Sequence, residues 1–290
     1  MKNNIKSILL VFLFIGFSSY AQEEEKENDK SNIQTYTPSK LLNKGQWDIK
    51  WFNNLYTETK FADANGNSVN KARDNFFTST IEAFTGISDN NRINIGAIVE
   101  FRSNTIGGRQ ALSVFSLDDT NTDRKGITSI APSVKFQPLK NVANFSIQSA
   151  IHIPLVSNET ENGIFLDQTA WSFQNRFFYD YTFASGNWQL FTELNTEYNF
   201  GDDQSFANNT FLLVPGVFLS YFPSGKSTVL GFVQHAERFG DFTQDYTALG
   251  FGGKYQLSKV LNLEVLYSNF VRGNNNGLGQ SFNLGLRALF

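Results

Sequence analysis

Hydrophobic and polar residues alternate most clearly between Trp171 and Phe200. Every second residue from Trp171 to Phe183 is aromatic apart from Asn175, and after a short polar break the alternation resumes at Trp188. A repeat of two residues is the repeat of a β-strand. The stretch therefore predicts an antiparallel hairpin with one apolar and one polar face.

Tryptophan and tyrosine lie near the ends of the apolar strand faces, at Trp47, Trp171, Trp188 and Tyr198. These side chains suit the boundary between membrane and water, because the ring enters the lipid while its polar group reaches the headgroups. The pattern favours strands that cross a membrane with their apolar faces toward lipid.

The same alternation divides the chain from Gly45 onward into about twelve strands, an even number within the range of bacterial barrels. The breaks between strands alternate between long and short, and the long ones include residues 60–73, 103–125 and 157–168. This asymmetry predicts an all-β fold, a transmembrane antiparallel up-and-down β-barrel, with long loops outside the cell and both termini in the periplasm. A soluble all-β fold gives no reason for it. The predicted strands are Gly45–Thr59, Asp74–Ile87, Arg92–Arg102, Gly126–Gln137, Phe145–Val156, Trp171–Phe183, Trp188–Phe200, Thr210–Phe222, Ser227–Phe239, Gln244–Leu257, Leu261–Arg272 and Ser281–Phe290.

The longest break contains an apolar run, Ala111–Leu117. We expect this run either to extend a strand beyond the membrane or to fold inward as a plug.

The first residues predict a secretory signal peptide, residues 1–21. Lys2 and Lys6 precede an apolar core, and Ser19-Tyr20-Ala21 has the small-x-small pattern of a cleavage site. The apolar core is shorter than the roughly 20 residues that a membrane helix needs. The domain organisation predicted is therefore a signal peptide, an acidic periplasmic extension over residues 22–44, and an outer-membrane barrel over residues 45–290.

Composition excludes several classes of protein. The sequence has no Cys, which removes disulfides, lipidation of a Cys and thiol catalysis. The formal net charge is -3, and loss of the two signal-peptide lysines makes it more acidic, so nothing indicates nucleic acid as a partner. The mean hydropathy of -0.28 agrees with a barrel, because only alternate residues of a barrel strand face lipid.

Three motifs imitate chemical sites. Ser224–Thr228 resembles the end of a phosphate-binding loop, but Ser220 stands where that motif needs glycine, so we interpret it as a turn. The oxygen-rich stretches that start at Asp63 and Asp119 have calcium-like spacing but lack the glycine or the final acid of such a loop. They are interpreted as surface turns, and the sequence predicts no metal site and no cofactor.

His152 and His235 allow a lipid-cleaving enzyme, because some outer-membrane barrels have that activity. Acyl transfer needs a nucleophile and an orienting group beside the histidine. Neither histidine has a serine within two residues on its strand, so the prediction is that both line the lumen and that no residue is catalytic.

Alternation assigns one face of each strand to the lumen. Arg176 is expected opposite Asn195, with Glu193 and Glu197 as diagonal neighbours within its reach. Acids and bases on the predicted inward positions, Glu82 and Glu237 among them, are nearly balanced, which favours an ion-pair network across the lumen; separately hydrated charges in a wide channel are the alternative. The predicted lumen-lining residues are Arg176, Glu193, Glu197, Asp180, Arg92, Glu100, Arg102, His152, Glu264 and Arg287.

The last strand alternates up to a C-terminal aromatic residue, Phe290. It resembles the terminal signature by which the β-barrel assembly machinery recognises bacterial outer-membrane proteins, and the resemblance implies a Gram-negative outer membrane. By strand count and general texture the chain also resembles the small transporter-type barrels of the phenol-degradation (MetA-pathway) family. That resemblance implies a transporter.

The favoured function is a channel or transporter for passive uptake or efflux of small amphipathic or aromatic solutes. A barrel of about twelve strands encloses more space than one of eight, whose side chains fill it. Phe178, Phe191, Leu266 and Phe270 fall on inward positions, so part of the lumen is expected to be apolar. The alternatives are a lipid-modifying enzyme and a non-conducting structural or adhesive barrel. The expected partners are outer-membrane lipid, the assembly machinery and a small solute.

Overall fold

The computed structural model describes residues 31–117, 120–201 and 207–290. The predicted signal peptide, residues 22–30 of the acidic extension and Asp119 lie outside the described residues. Twelve antiparallel strands form a closed barrel. In the described part of the chain, no helix has the length and hydropathy needed to cross a membrane.

A short helix, α1 (Asn32–Thr35), precedes the first strand. The barrel strands are β1 (Trp47–Ala62), β2 (Ser68–Gly86), β3 (Ile93–Thr105), β4 (Asp123–Phe136), β5 (Phe145–Pro154), β8 (Ser172–Thr182), β9 (Trp188–Asn199), β10 (Thr210–Ser224), β11 (Ser227–Gly240), β12 (Gln244–Gln256), β13 (Leu261–Asn274) and β14 (Asn276–Leu289), and between β5 and β8 a small separate hairpin is formed by β6 (Thr160–Glu161) and β7 (Ile164–Phe165).

The first and last strands close the barrel. β1 pairs with β2 on one side and β14 on the other, with Asp48 opposite Leu289, and the backbone N–H of Trp47 donates to the carbonyl of Phe290 at 2.7 Å. Closure leaves no unpaired sheet edge, which a membrane requires because lipid offers no hydrogen-bond partner. We call the end with Trp47 and Phe290 the terminal end, and the opposite end the loop end.

The outer wall carries a band of exposed apolar side chains, among them Ile81, Leu249 and Leu284. The aromatic belts predicted from the sequence are present on it. Trp47 and Trp188 are exposed at the terminal end, and Trp171 and Tyr198 at the loop end. An apolar band between two aromatic belts is the outer surface of a membrane barrel.

Three loops differ from their predictions. The predicted loop 60–73 and the Gly/Asn-rich loop 272–280, predicted between the last two strands, are largely strand, with short turns at residues 63–67 and at Asn275, whose φ of 49° is left-handed. Outside the membrane, polar residues can either continue the hydrogen-bonded strand or form a loop. Polarity alone therefore did not distinguish strand from loop. The run at residues 111–117 neither extends a strand nor plugs the lumen; Ala111–Phe115 forms a 3-10 helix. The loop that folds inward is instead the one between β5 and β8.

The calcium-like stretch and the phosphate-loop mimic are turns. Asp63 Oδ1 accepts hydrogen bonds from the backbone N–H groups of Asn65 and Asn67, both at 2.8 Å. These local bonds lower the pKa of the Asp63 carboxyl. Gly225 and Lys226 form the turn between β10 and β11.

Candidate functional site

One ion pair identifies the inner face of the wall. Arg176 Nη1 of β8 lies 3.3 Å from Glu82 Oε1 of β2, and these strands are not neighbours in the barrel. The contact must therefore cross the interior. The register places Arg176 opposite Asn195, so the residues paired with either one also face inward.

A chain of ion pairs starts from this contact. Arg176 Nε lies 3.0 Å from Glu193 on β9, and Lys50 lies 3.4 Å from Glu82 and 3.8 Å from Asp48. Arg287 then holds Asp48 with two hydrogen bonds of 2.8 Å. Charges from β9, β8, β2, β1 and β14 thus form one network across the lumen, with three acids and three bases.

The other predicted lumen residues lie apart from this network. Glu197 accepts a hydrogen bond from Gln174 at 3.3 Å instead of pairing with Arg176. Glu264 pairs with Lys254 at 2.5 Å. Arg92 lies at the rim of the terminal end, where Nη2 donates to the carbonyl of Gln137 at 2.6 Å.

A polar cavity of about 90 Å³ lies near the loop end of the lumen; it is lined by Glu100, Arg102, His152, Asp167, Gln174 and Glu197 among others. Arg102 joins Glu100 at 2.7 Å to Asp167 at 3.0 Å. Burial raises the pKa of the Asp167 carboxyl, against the opposing effect of Arg102.

Residues 155–171, the inward loop, cover this cavity. Asn104 Nδ2 donates to the carbonyl of Phe165 at 2.8 Å, and Arg124 Nη1 donates to that of Glu159 at 2.6 Å. Ile164 and Leu166 of the loop are buried. The inward loop therefore narrows the loop end of the lumen.

The wall from β8 to β11 carries a row of inward aromatic rings, which we call the lower aromatic arc: Phe178, Phe191, Phe218 and Phe232. Successive ring centroids lie 6.1, 5.3 and 5.1 Å apart. The ring of Phe232 lies against Gly250, where a Cβ atom would approach it to 2.2 Å, so the glycine makes room for the ring.

A second row, the upper aromatic arc, lies toward the loop end and consists of Tyr246, Phe270, Tyr56 and Phe76. Its centroids lie 4.4, 4.8 and 6.0 Å apart. The sequence identified Phe178, Phe191 and Phe270 as inward. It missed the neighbours of these rings, because adjacency between strands depends on register.

The chain before β1 crosses the terminal end of the lumen, and we call residues 31–44 the plug segment. Ile33 N donates to Gln256 of β12 at 3.3 Å, and Thr37 Oγ1 donates to Asp180 of β8 at 2.8 Å. Ser39 also donates to Asp180, and Lys135 donates to the carbonyl of Pro38. The segment thus reaches opposite walls, and Asp180 holds it in place.

Leu42 gives the plug segment an apolar anchor. Its side chain is almost fully buried in a cluster with Phe84, Ile98, Ala131, Ala150 and Leu289. These residues face inward from β2, β3, β4, β5 and β14. The side chain of Leu42 therefore fills the terminal end of the lumen next to these strands.

Two predicted lumen residues face outward instead. His235 pairs with Thr247 and Glu237 with Asp245, while their neighbours Phe232 and Leu230 occupy the inner face. The prediction was wrong because both faces of β11 carry apolar and polar residues, so alternation did not identify the inner one. His152 does face inward, with Nδ1 3.4 Å from Ser129 Oγ.

The described residues contain no group of three or more His, Asp or Glu side chains that could hold a metal ion. The site is the lumen itself, with a charged side, two aromatic arcs and a covered opening at each end.

A closed twelve-stranded wall with aromatic belts outside and a partly polar interior defines an outer-membrane β-barrel with channel architecture. A family model described as the putative MetA-pathway of phenol degradation matches residues 58–287, so the chain belongs to that family. No curated protein matches the sequence.

Two solved structures have a similar fold. An outer membrane channel from Pseudomonas putida F1 superposes with a TM-score of 0.69 at 11% identity, over 92% of this chain and 100% of that one. The β domain of the Bordetella autotransporter BrkA superposes with a TM-score of 0.56 at 10% identity, over 84% of this chain and 99% of that one.

Proposed function

We propose that the protein is a passive channel for small aromatic or amphipathic solutes, with its loop end outside the cell. The observation that carries this proposal is that the lumen wall has a charged part and an aromatic part. Charged groups that pair with one another line one part, and aromatic arcs line another. Planar apolar solutes gain by stacking on such rings, whereas paired charges offer small ions little attraction.

The family description, which refers to phenol degradation, supports an aromatic solute. The polar cavity adds a second recognition element. Its Arg102 and His152 offer hydrogen-bond donors or acceptors to a hydroxyl group of a solute. A solute with one ring and one polar group fits both features.

Phe218→Ala tests the proposal by removing the middle of the lower aromatic arc. An aromatic pair contributes about 0.5–1.5 kcal/mol beyond area burial, so loss of Phe218 is expected to weaken phenol binding in the lumen about 2-fold to 10-fold. Liposome flux of phenol and of glycerol should be compared in the same preparation. The phenol-to-glycerol flux ratio should fall.

Phe251→Ala is the matched control, because Phe251 faces outward on the neighbouring β12 and is exposed. It should leave the flux ratio unchanged. An unchanged ratio in Phe218→Ala would refute a role of the arc in solute choice. Absence of all solute flux in the unaltered protein would favour the structural or adhesive barrel.

A lipid-modifying enzyme has one observation in its favour. On the outer wall His235 Nδ1 lies 3.0 Å from Thr247 Oγ1, and Nε2 lies 4.0 Å from Glu237. The second distance exceeds hydrogen-bond reach, so Glu237 does not orient the histidine as acyl transfer requires, and we propose that the protein is not an enzyme. Fatty-acid release from phospholipid that His235→Ala abolished would contradict this.

A further inference from the structure

The chain after β3 folds back over the outside of the barrel, and we call residues 106–117 the outer-wall segment. Gly107 and Gly108 have φ values of 77° and 86°, a left-handed conformation that glycine adopts without strain. They reverse the chain just after Thr105, and the 3-10 helix Ala111–Phe115 follows.

Polar side chains of the outer wall bind this segment. Asn75 Nδ2 donates to the carbonyl of Arg109 at 3.2 Å, and Ser103 Oγ donates to that of Val114 at 2.7 Å. Asn75 and Thr105 are fully buried although they point away from the lumen. The segment therefore covers the outer face of β2 and β3, and its backbone is fixed there.

The two faces of the segment differ. Val114 is buried against the wall, and the Phe115 ring contacts Phe77 edge-on at a centroid distance of 4.8 Å. Leu112 and Leu117 on the other face are 68% and 83% exposed, and Phe115 is still 55% exposed despite its contact with Phe77. Wall contact thus leaves most of the surface of these three apolar side chains uncovered.

The position of the segment on the barrel indicates which surroundings cover these three side chains. Near the loop end of β1, β2 and β3 the outward residues beneath the segment are polar, namely Thr57, Asn75 and Thr105. Outward residues at the same end of the wall around β8, β9 and β10 are aromatic instead: Trp171, Tyr198, Phe200 and Phe211. The outer-wall segment therefore supplies apolar side chains where these three outward positions are polar.

We propose that the outer-wall segment is a membrane anchor whose Leu112, Phe115 and Leu117 insert among lipid acyl chains. The exposed face is continuous with the lipid-facing band, through Phe77 below Phe115 and through the exposed Ile127 on β4. Burial of apolar surface in lipid is favourable in proportion to its area. The segment completes the belt and fixes the depth of this side of the barrel.

Spin labels test the insertion, and the absence of cysteine from the chain makes each label unique. Leu112→Cys and Leu117→Cys are labelled with a nitroxide and reconstituted in phosphatidylcholine vesicles. Collisions with oxygen, which concentrates in lipid, are compared with collisions with a water-soluble nickel chelate. Val233→Cys on the outer wall is the lipid reference, and Asn65→Cys in the β1–β2 turn is the water reference.

Both segment labels are expected to match the Val233 label, with high oxygen and low nickel accessibility. High nickel accessibility would overturn the proposal, because the segment would then lie in water. Low accessibility to both would overturn it as well, since another protein surface, such as a second copy, would then cover the segment. Phe115→Cys provides a third position if either leucine variant fails to fold.

Discussion

Arg176→Ala removes the one guanidinium that bridges β9 to β2 across the lumen. In the network three bases, Arg176, Lys50 and Arg287, balance the acids Glu193, Glu82 and Asp48. The variant leaves one net negative charge and opens the space that the side chain occupied. Both conductance and preference for cations should rise.

The size of the selectivity change follows from Coulomb's law. One unit charge about 6 Å from a permeating ion in water contributes about 0.7 kcal/mol, with opposite signs for a cation and an anion. The difference of about 1.4 kcal/mol corresponds to a roughly 10-fold change in permeability ratio. Screening, with a Debye length of about 8 Å in physiological salt, reduces this to several-fold.

The assay is the reversal potential of the refolded protein in a planar bilayer under a potassium chloride gradient. Arg176→Lys keeps the charge and should retain most of the selectivity of the unaltered protein. Arg272→Ala, on the outside of the wall and well exposed, is the matched control and should change nothing. An Arg176→Ala channel with unchanged conductance and unchanged reversal potential would refute the cross-lumen network.

Three further predictions concern the two ends and the wall. Asp180→Ala removes the carboxylate that holds two hydroxyls of the plug segment, so single-channel conductance should rise, whereas Lys140→Ala in the exposed turn between β4 and β5 should not change it. Burial raises the pKa of Asp167, so the covered state binds the proton more tightly than an uncovered one, and acidification should lower conductance; Asp167→Asn should remove this pH dependence. Leu194→Arg, on the lipid-facing side of β9, should lower the free energy of unfolding by about 2–4 kcal/mol in urea titrations, and Asn65→Arg in an exposed turn should not.

The fold could be predicted from the sequence because a membrane wall repeats one simple rule. Each strand alternates between lipid and lumen, so class, strand number and aromatic belts follow from periodicity alone. The tightest test is the hairpin of β8 and β9, where the sequence placed Arg176 opposite Asn195 and the structure has that register. The two faces of this hairpin differ strongly in polarity, and a shift of the strand register by one residue would exchange them.

The site was less predictable because it depends on contacts between distant strands. Alternation placed Glu82 and Arg176 on inward faces but could not show that they meet across the lumen. Both faces of strand β11 carry apolar and polar residues, so the pattern did not indicate its orientation, and His235 was assigned to the wrong side. The plug segment and the inward loop are irregular chain, for which periodicity predicts nothing.

The closures at the two ends differ from the wall in the kind of contact that holds them. The wall is a continuous backbone ladder, and a broken ladder in lipid leaves polar groups unpaired. The plug segment relies on single hydrogen bonds, such as those from Thr37 and Lys135, and on the side chain of Leu42. One such hydrogen bond contributes about 0.5–1.5 kcal/mol net to stability. These contacts are separate from the backbone hydrogen bonds of the wall, so breaking them leaves the wall intact. The molecule therefore combines a wall that must stay closed with ends held by weaker contacts, which is the arrangement that the proposed channel requires.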